Sequence, residues 1–325
     1  MLMRDNNEGR VTPPLATIGI PSYNRRRSLE RSLQTALGQD YDNFEVLVCD
    51  NASTDGTQEF VENHLKKDSR LRYIRHPENK GPLFNFKSAL ESARGVYFLW
   101  LGSDDRIDPN YLKHCIAHLQ RNPDHVLVSG RIHYYKGGKF LFEEPQVNIH
   151  QAGIHGRVAE FYRSIGCNGV TYGVGQKSDF LRIPFTQSMG WDWLFVAGLA
   201  GLGKIQSVDG TIIHREFTWD DSSFEQISST FKLSSFQKNN PYLAIAILAW
   251  DQIRNAHPLF GTLSKMQRWL LAVHAMAIIR RRHKIGRLRL LRSFMNGEAR
   301  GLLEETQNNS ASLRREYGPK AFHSV

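Results

Sequence analysis

Between residues 15 and 130, short apolar runs alternate with amphipathic stretches, and each apolar run ends on polar or turn-forming residues. Leu15 to Ile20 reads as a strand that stops at Pro21, which cannot donate to a sheet ladder. Ser28 suits the N-cap of a helix reaching Leu37. Phe44 to Cys49 is a second strand, closed by Asp50 and Asn51, and Ser53 or Thr54 would cap a helix to about Lys67. Leu71 to Ile74 predicts a third strand, Pro82 to Ala93 a third helix, and Gly95 to Leu101 a fourth strand. Pro109 opens a fourth helix at its favoured first position, and Val126 to Ser129 adds a fifth strand. Repeated strand–helix units imply right-handed crossovers and an α/β fold with a mostly parallel, doubly wound sheet. Such sheets bind ligands beyond the carboxyl ends of their strands, so segments 21–25, 50–55 and 102–106 should meet in one crevice.

The fourth strand carries the most informative chemistry. In GVYFLWLGSDDRID, Gly95 to Asp108, a continuous apolar run stops at two adjacent carboxylates, Asp104 and Asp105. Paired carboxylates at a strand end are costly without a compensating positive charge. A hard divalent cation carrying a diphosphate would supply it, since such cations prefer oxygen ligands. The alternative is a solvated acidic turn.

Composition narrows the setting. The chain has 325 residues, 41% of them hydrophobic and 23% charged, as in ordinary globular proteins. Its net charge of +10 points to a polyanionic partner. Cys49, Cys115 and Cys167 are far apart and form no CxxC pair, which fits a reduced compartment and argues against structural zinc. The polar first 14 residues do not read as a signal peptide, and no apolar run approaches the roughly 20 residues that span a bilayer. A cytoplasmic protein is expected, with a peripheral position at the inner face of the membrane left open.

The run IPSYNRRRSLERSLQTALGQDYDNFEVLVCDNASTDGT, Ile20 to Thr57, resembles the opening of family 2 glycosyltransferases, which are inverting enzymes of the GT-A fold. ENKG at Glu78 to Gly81, ARGVYFLWLGSDD and Pro109 keep the same order, and the resemblance covers about residues 15 to 218. It implies that Pro21, Tyr23 and Asn24 lie under the nucleotide, with Tyr23 offering a ring to the base. Asp50 would accept a hydrogen bond from the base, with Asn51 beside it in place of a frequent second aspartate. Asp55 would be a helix-start residue. Asp104 would contact the ribose or donor sugar, and Asp105 would ligate Mn²⁺ or Mg²⁺. Gly102 stands where many members carry a further aspartate. Arg25, Arg26 and Lys80 would help neutralise phosphate, or are solvated surface charges.

On the acceptor side, Gly190 to Ile205 resembles the family's acceptor helix, which implies Asp192 as the base that removes the acceptor proton. Trp191 and Trp193 would desolvate it or stack on a sugar; the competing role for Asp192 is an early-helix dipole residue. His214, in TIIHREF, matches a late-domain histidine that reaches the metal, or is structural. The glycine-rich stretch Ile165 to Gly175 shapes the acceptor pocket or serves as a connection.

The last hundred residues change character. Phe224 to Asn255 and Thr262 to about Glu305 read as helices, and Trp269 to Ile279 is densely apolar beside a run of arginines. They bind anionic lipid in-plane, or pack on protein. Gln267-Arg268-Trp269 resembles the QxxRW motif of processive synthases only superficially, because the spacing differs. The expected organisation is a flexible 1–14, a GT-A domain over 15–218 (nucleotide-sugar half 15–130, acceptor half 131–218), a basic helical region over 219–307 and a flexible tail over 308–325.

The expected function is metal-dependent transfer of a single sugar from a nucleotide-diphosphate sugar to a hydroxyl of a glycan or lipid-linked acceptor. The alternative is a catalytically degenerate binding module at a membrane surface or on nucleic acid. A nucleotidyltransferase would show a glycine-rich, lysine-containing loop after the first strand, and PSYNRRR is not one. A nucleic-acid partner is not expected, and oligomerisation is left open.

Overall fold

The computed structural model describes residues 15–217, 225, 228–255 and 257–315. The expectations for 1–14, for the boundary at 218 and for a helix starting at Phe224 lie outside these residues. The amino-terminal half builds β1 (Ala16–Ser22), α1 (Arg26–Leu37), β2 (Phe44–Asp50), α2 (Thr57–Leu65), β3 (Leu71–Arg75), α3 (Pro82–Ser92) and β4 (Tyr97–Trp100). These strands pair in parallel in the order β3-β2-β1-β4, and the short β8 (Gly175–Gln176) closes the β4 edge antiparallel. Every residue of β1, β2 and β4 is buried, which is why these strands read as continuous apolar runs.

β1 does not stop at Pro21. The Asn51 N–H donates to Ser22 O, so Pro21 faces the opposite side of the strand, where pairing with β4 has already ended at Gly19. A missing N–H costs nothing there. Ser28 does not cap α1; its hydroxyl donates to Arg25 O. The cap comes from the next loop, where the Asp55 carboxylate accepts the Arg26 N–H at 2.8 Å, the Thr57 N–H at 3.2 Å and the Thr57 hydroxyl at 2.6 Å. One side chain thus starts two helices. Burial pushes the Asp55 carboxyl up, but these hydrogen bonds outweigh it and hold the group below its ordinary value.

After β5 (Arg106–Ile107) and α4 (Tyr111–Arg121), a second sheet forms in the order β5-β9-β6-β7, from β6 (His125–Lys136), β7 (Lys139–Glu144) and β9 (Lys204–Glu216). β6 is far longer than the expected Val126 to Ser129. Past Gly130, where its register against β9 shifts, burial alternates residue by residue, so no continuous apolar run advertises the second half. α5 (Gly153–Ser164), α6 (Lys177–Arg182) and α7 (Trp191–Leu202) complete the body of the fold.

The two long carboxyl-terminal helices expected from the sequence are broken into several. They are α8 (Ser235–Asn239), α9 (Pro241–Asn255), α10 (His257–Phe260), α11 (Lys265–Arg282), α12 (Arg287–Met295) and α13 (Glu298–Arg315). Pro241 begins α9, Ser264 caps α11, Gly286 precedes α12, and Gly297 (φ 77°) separates α12 from α13. Ser264 and Gln267 form a reciprocal capping box, which gives Gln267 a local role. α13 continues past Asn308, where the flexible tail was expected. α9 is buried along most of its length, against α7 and α11.

Candidate active site

The loops after β1, β2 and β4 do converge. They line an open cavity of about 710 Å³ with Pro21, Tyr23, Asn24, Arg25, Asn51, Gly102, Ser103 and Asp104, and the loop into α3 adds Asn79, Gly81 and Asn85. Phe86 and Tyr172 form further wall, as do Ser229, Thr230 and Lys232 from the carboxyl-terminal region.

Asparagines hold the rim in shape. Asn24, at φ 51°, accepts the Thr54 N–H on its side-chain oxygen at 2.8 Å while its own N–H donates to Ser53 Oγ. The left-handed backbone is tolerable because asparagine adopts it more readily than most residues. Asn51 donates to Asn79 Oδ1 and Gly81 O and accepts the Lys80 N–H. Gly81 takes φ 89°, a conformation that a side chain would strain, at the point where the chain enters α3. Lys80 itself lies 3.5 Å from Glu78 and over the Phe84 ring, and Arg26 lies over Phe60 and beside Glu30; of the expected phosphate cations, Arg25 faces the cavity. Asn85 spends its amide on Ser22 O and Cys49 O, and its buried Oδ1 has no partner among the described residues. Ser22 Oγ is similarly unpaired. Unsatisfied buried polar atoms at a cavity floor are suited to a ligand's hydrogen-bonding groups.

Asp50 is not in the cavity lining. Its carboxylate is fully buried, accepting the Ser53 N–H at 2.9 Å and the Tyr73 hydroxyl at 2.6 Å, with Arg75 Nε 3.6 Å away. It shapes the loop that carries Asn51.

The adjacent carboxylates divide. Asp104 lines the cavity; burial and the neighbouring Asp105 charge push it up to about 6, against the opposing pull of Arg25 and Arg215. Asp105 turns inward. It accepts Arg215 Nε at 3.0 Å and the Glu216 N–H at 3.1 Å, with almost no solvent exposure. The Arg215 guanidinium lies 3.9 Å from the centre of the Tyr172 ring and donates to the Tyr134 hydroxyl. Gly102 is required by this packing, since a Cβ there would stand 2.5 Å from Asp105 Oδ2 and 3.1 Å from Asp104 Oδ1. A further aspartate at that position would have to displace one of the two.

His214, expected at a metal, is held within the second sheet. Its Nε2 meets Asp108 Oδ1 at 2.9 Å and its Nδ1 meets the Tyr135 hydroxyl at 3.0 Å, so both ring nitrogens are engaged. No group of three or more His, Cys, Asp or Glu suited to a metal occurs among the described residues.

Asp192 occupies the first turn of α7, where burial raises its carboxyl to about 6 against the hydrogen bond from Asn168 Nδ2 at 3.0 Å, backbone N–H groups and the Arg215 charge. Asn168 is itself at φ 60°, pinned by its N–H to the buried Glu144, which also takes the Gly169 N–H and the Tyr134 hydroxyl. Trp191 is not free to stack on a sugar; it is buried among Phe86, Trp100, Phe185 and Phe195. Trp193 turns to Tyr242 and His283. Tyr172, raised to about 12 chiefly by burial, feels the charges of Arg215, Asp105, Asp192 and Asp104 together, which puts the acceptor-side acid in the same electrostatic neighbourhood as the strand-end pair.

Arg215, Tyr172, Asn168 and Asn85 were missed from the sequence. Arg215 had a signal, as a charged residue next to His214 in an apolar strand; Asn85 had one too, as a lone amide in the apolar face of α3.

Residues 17–174 match the model of Glycosyl transferase family 2. Similar proteins include the putative teichuronic acid biosynthesis glycosyltransferase TuaG of Bacillus subtilis, 36% identical over 93 residues, which are 29% of this chain and 37% of that protein. The putative colanic acid biosynthesis glycosyl transferase WcaA of Escherichia coli is 32% identical over 117 residues, 35% of this chain and 41% of that protein. The chain thus spans well under half the length of these curated relatives. In fold it is similar to the crystal structure of S. aureus TarS 1–349 in complex with UDP-GlcNAc, with a TM-score of 0.61 at 19% identity over 82% of this chain and 72% of that one. Residues 17–174 thus form a glycosyl transferase family 2 domain, in a chain whose fold is similar to that of TarS 1–349.

Proposed function

We propose that the protein moves a single sugar from a nucleotide-diphosphate sugar to an acceptor hydroxyl, with inversion, in the assembly of a cell-surface glycan or lipid-linked oligosaccharide. One observation carries this reading: the loops after β1, β2 and β4 of the domain that matches glycosyl transferase family 2 meet around one cavity with Asp104 on its wall, and burial raises both Asp104 and the acceptor-side Asp192. Environments that hold acids near neutrality mark sites of cation binding and proton transfer. The named relatives' roles in teichuronic and colanic acid biosynthesis support the glycan setting.

Tyr23 and the asparagine rim would receive the nucleotide, with Asn85 Oδ1 and Ser22 Oγ free to meet its polar groups. Asp104 fits a divalent cation. It is a half-buried carboxylate short of positive charge, and a cation carried by a diphosphate needs only one or two protein carboxylates besides phosphate oxygens and water. Mn²⁺ or Mg²⁺ held by Asp104 would supply charge for the departing diphosphate. Arg25 adds a guanidinium on the same wall. Asp105 keeps its place on Arg215, and His214 its place on Asp108. The ionised Asp192 takes the acceptor hydroxyl proton as the oxygen bonds to the anomeric carbon. The bond to the diphosphate breaks on the opposite face, and the diphosphate leaves with the electron pair. Single addition is favoured over polymerisation because Gln267-Arg268-Trp269 lacks the spacing of the QxxRW motif of processive synthases.

Calorimetric titration with a panel of nucleoside diphosphates and nucleotide sugars, with Mn²⁺ or with EDTA, tests the reading. Metal-dependent binding of one nucleotide, lost in Asp104→Ala, is expected. Folded protein that binds none of them would leave a binding module in place of the transferase.

A further inference from the structure

The net charge has one location. Of the chain's 42 Lys and Arg, ten fall between Gln252 and Gly297, where there is no Asp or Glu, and the remaining 32 cations balance the 32 acids elsewhere. The whole +10 therefore resides in the segment containing α11 and α12.

These helices also turn apolar side chains outward. In α12 the buried residue is Ser293. At about 100° per residue, Leu291 and Met295 stand about 200° away from it, on the opposite side, and Leu288 lies about 20° beyond Met295 on that side. Leu288, Leu291 and Met295 are 70%, 57% and 82% exposed, and exposed Arg287 and Arg292 flank them. α11 repeats the pattern: Met266, Trp269, Leu270 and Val273, at i, i+3, i+4 and i+7, are all exposed. The two stripes are connected through α9. Phe294 of α12 packs on Trp250, Arg254 lies over the Trp250 ring, and Arg254 O accepts from Arg268 of α11. Beside that junction an open cleft of about 780 Å³ is lined by Arg254, Asn255, Lys265, Met266, Arg268 and Trp269, and Arg268 Nε has no partner among the described residues.

We infer that α11 and α12 dock the protein on an anionic lipid bilayer. The helices lie in the plane, with Leu288, Leu291, Met295 and Trp269 at the acyl boundary and the arginines on headgroup phosphates. Two features select this occupant. A symmetric pair of chains meeting through this face would set the same arginines against one another. A nucleic acid would satisfy the arginines but not the outward apolar stripe. A bilayer takes both, and apolar burial adds to electrostatic attraction. Among the described residues no helix is long and apolar enough to cross a membrane, so the contact is a surface one. The inference does not depend on the transferase reading, and its test is separable from nucleotide binding.

The full chain is co-sedimented at low salt with vesicles of phosphatidylglycerol and phosphatidylcholine, or of phosphatidylcholine alone. Retention on the anionic vesicles is expected, reduced on the order of tenfold in L288E/L291E/M295E and at high salt, with nucleotide binding unchanged. If the triple variant misfolds, Met295→Glu alone, at the most exposed of the three positions, must still weaken retention. Absence of retention on anionic vesicles overturns the inference. So does equal retention of the apolar-stripe variants, or self-association in light scattering that those variants abolish while vesicles capture neither form.

Discussion

Asp192→Asn separates what the buried carboxyl does for turnover from what it does to the fold. The group's ordinary value is 3.8, and burial raises it to about 6 in the folded chain. A raised acid favours the folded state only while protonated, so its contribution is fully present below about 4 and is lost as pH rises through 6. At about 1.4 kcal/mol for each pH unit between those two values, the loss comes to about 3 kcal/mol. Asparagine keeps an oxygen for the Asn168 amide and carries no charge to bury. The variant should therefore match the parent in stability near pH 4 and exceed it by up to about 3 kcal/mol above pH 7, which is roughly 5 °C in Tm for a chain of this size.

The same substitution should lower turnover by about 10²- to 10⁴-fold, the usual worth of a positioned base, and leave nucleotide affinity within about twofold. Thermal unfolding at pH 4.5 and 7.5, beside sugar-transfer kinetics, reads both effects. A variant that turns over near normally refutes Asp192 as the base, and one whose stability does not pull ahead of the parent's between acid and neutral pH refutes the raised carboxyl.

Asn168→Gly removes the amide that favours ionised Asp192 and accepts the left-handed backbone at that position. The acidic limb of kcat/KM should move up by about one pH unit, a roughly fivefold loss at pH 6 that nearly vanishes at pH 8; an unmoved limb removes Asn168 as a positioning residue. Arg215→Gln strands Asp105 as a buried uncompensated charge, and urea unfolding should show a loss of about 3–5 kcal/mol. Adding Asp105→Asn should restore part of it, and strict additivity of the two would show that they are not coupled. Gly102→Ala forces a Cβ against both carboxyls and should cost about 1–3 kcal/mol together with metal-dependent nucleotide binding, an outcome that calorimetry checks directly.

The parallel core was legible because strands buried on both faces print as unbroken apolar runs, and β2 and β4 were placed within a residue or two of their ends. The same criterion hid the far half of β6, which alternates beyond Gly130, and the two-residue β5 and β8, too short for any period. Helix starts were misassigned where the cap is not local. Asp55 serves α1 from 29 residues away in the chain, so no capping pattern near Ser28 could reveal it. In the site, segments 21–25, 50–55 and 102–106 were legible as one crevice, because that follows from topology. The inward or outward direction of individual side chains within those segments was not.

Asp104 and Asp105 show why. Neighbouring residues leaving a strand point to different sides, and their sequence context is shared, so nothing local distinguishes the group facing the cavity from the one facing core. The decision is made by Arg215, 110 residues later, which enters from β9 and claims Asp105. Its guanidinium is then spent on one carboxylate and two tyrosine neighbours. That disposes of half of the strand-end charge without a ligand and lets the loop after β4 fold around a buried acid. The other half, on Asp104, is left on the cavity wall and raised to about 6, with Arg25 and Arg215 only partly offsetting the burial and the Asp105 charge. A pair that would repel itself thus becomes one structural ion pair, Asp105 with Arg215, and one carboxyl on the cavity wall, Asp104.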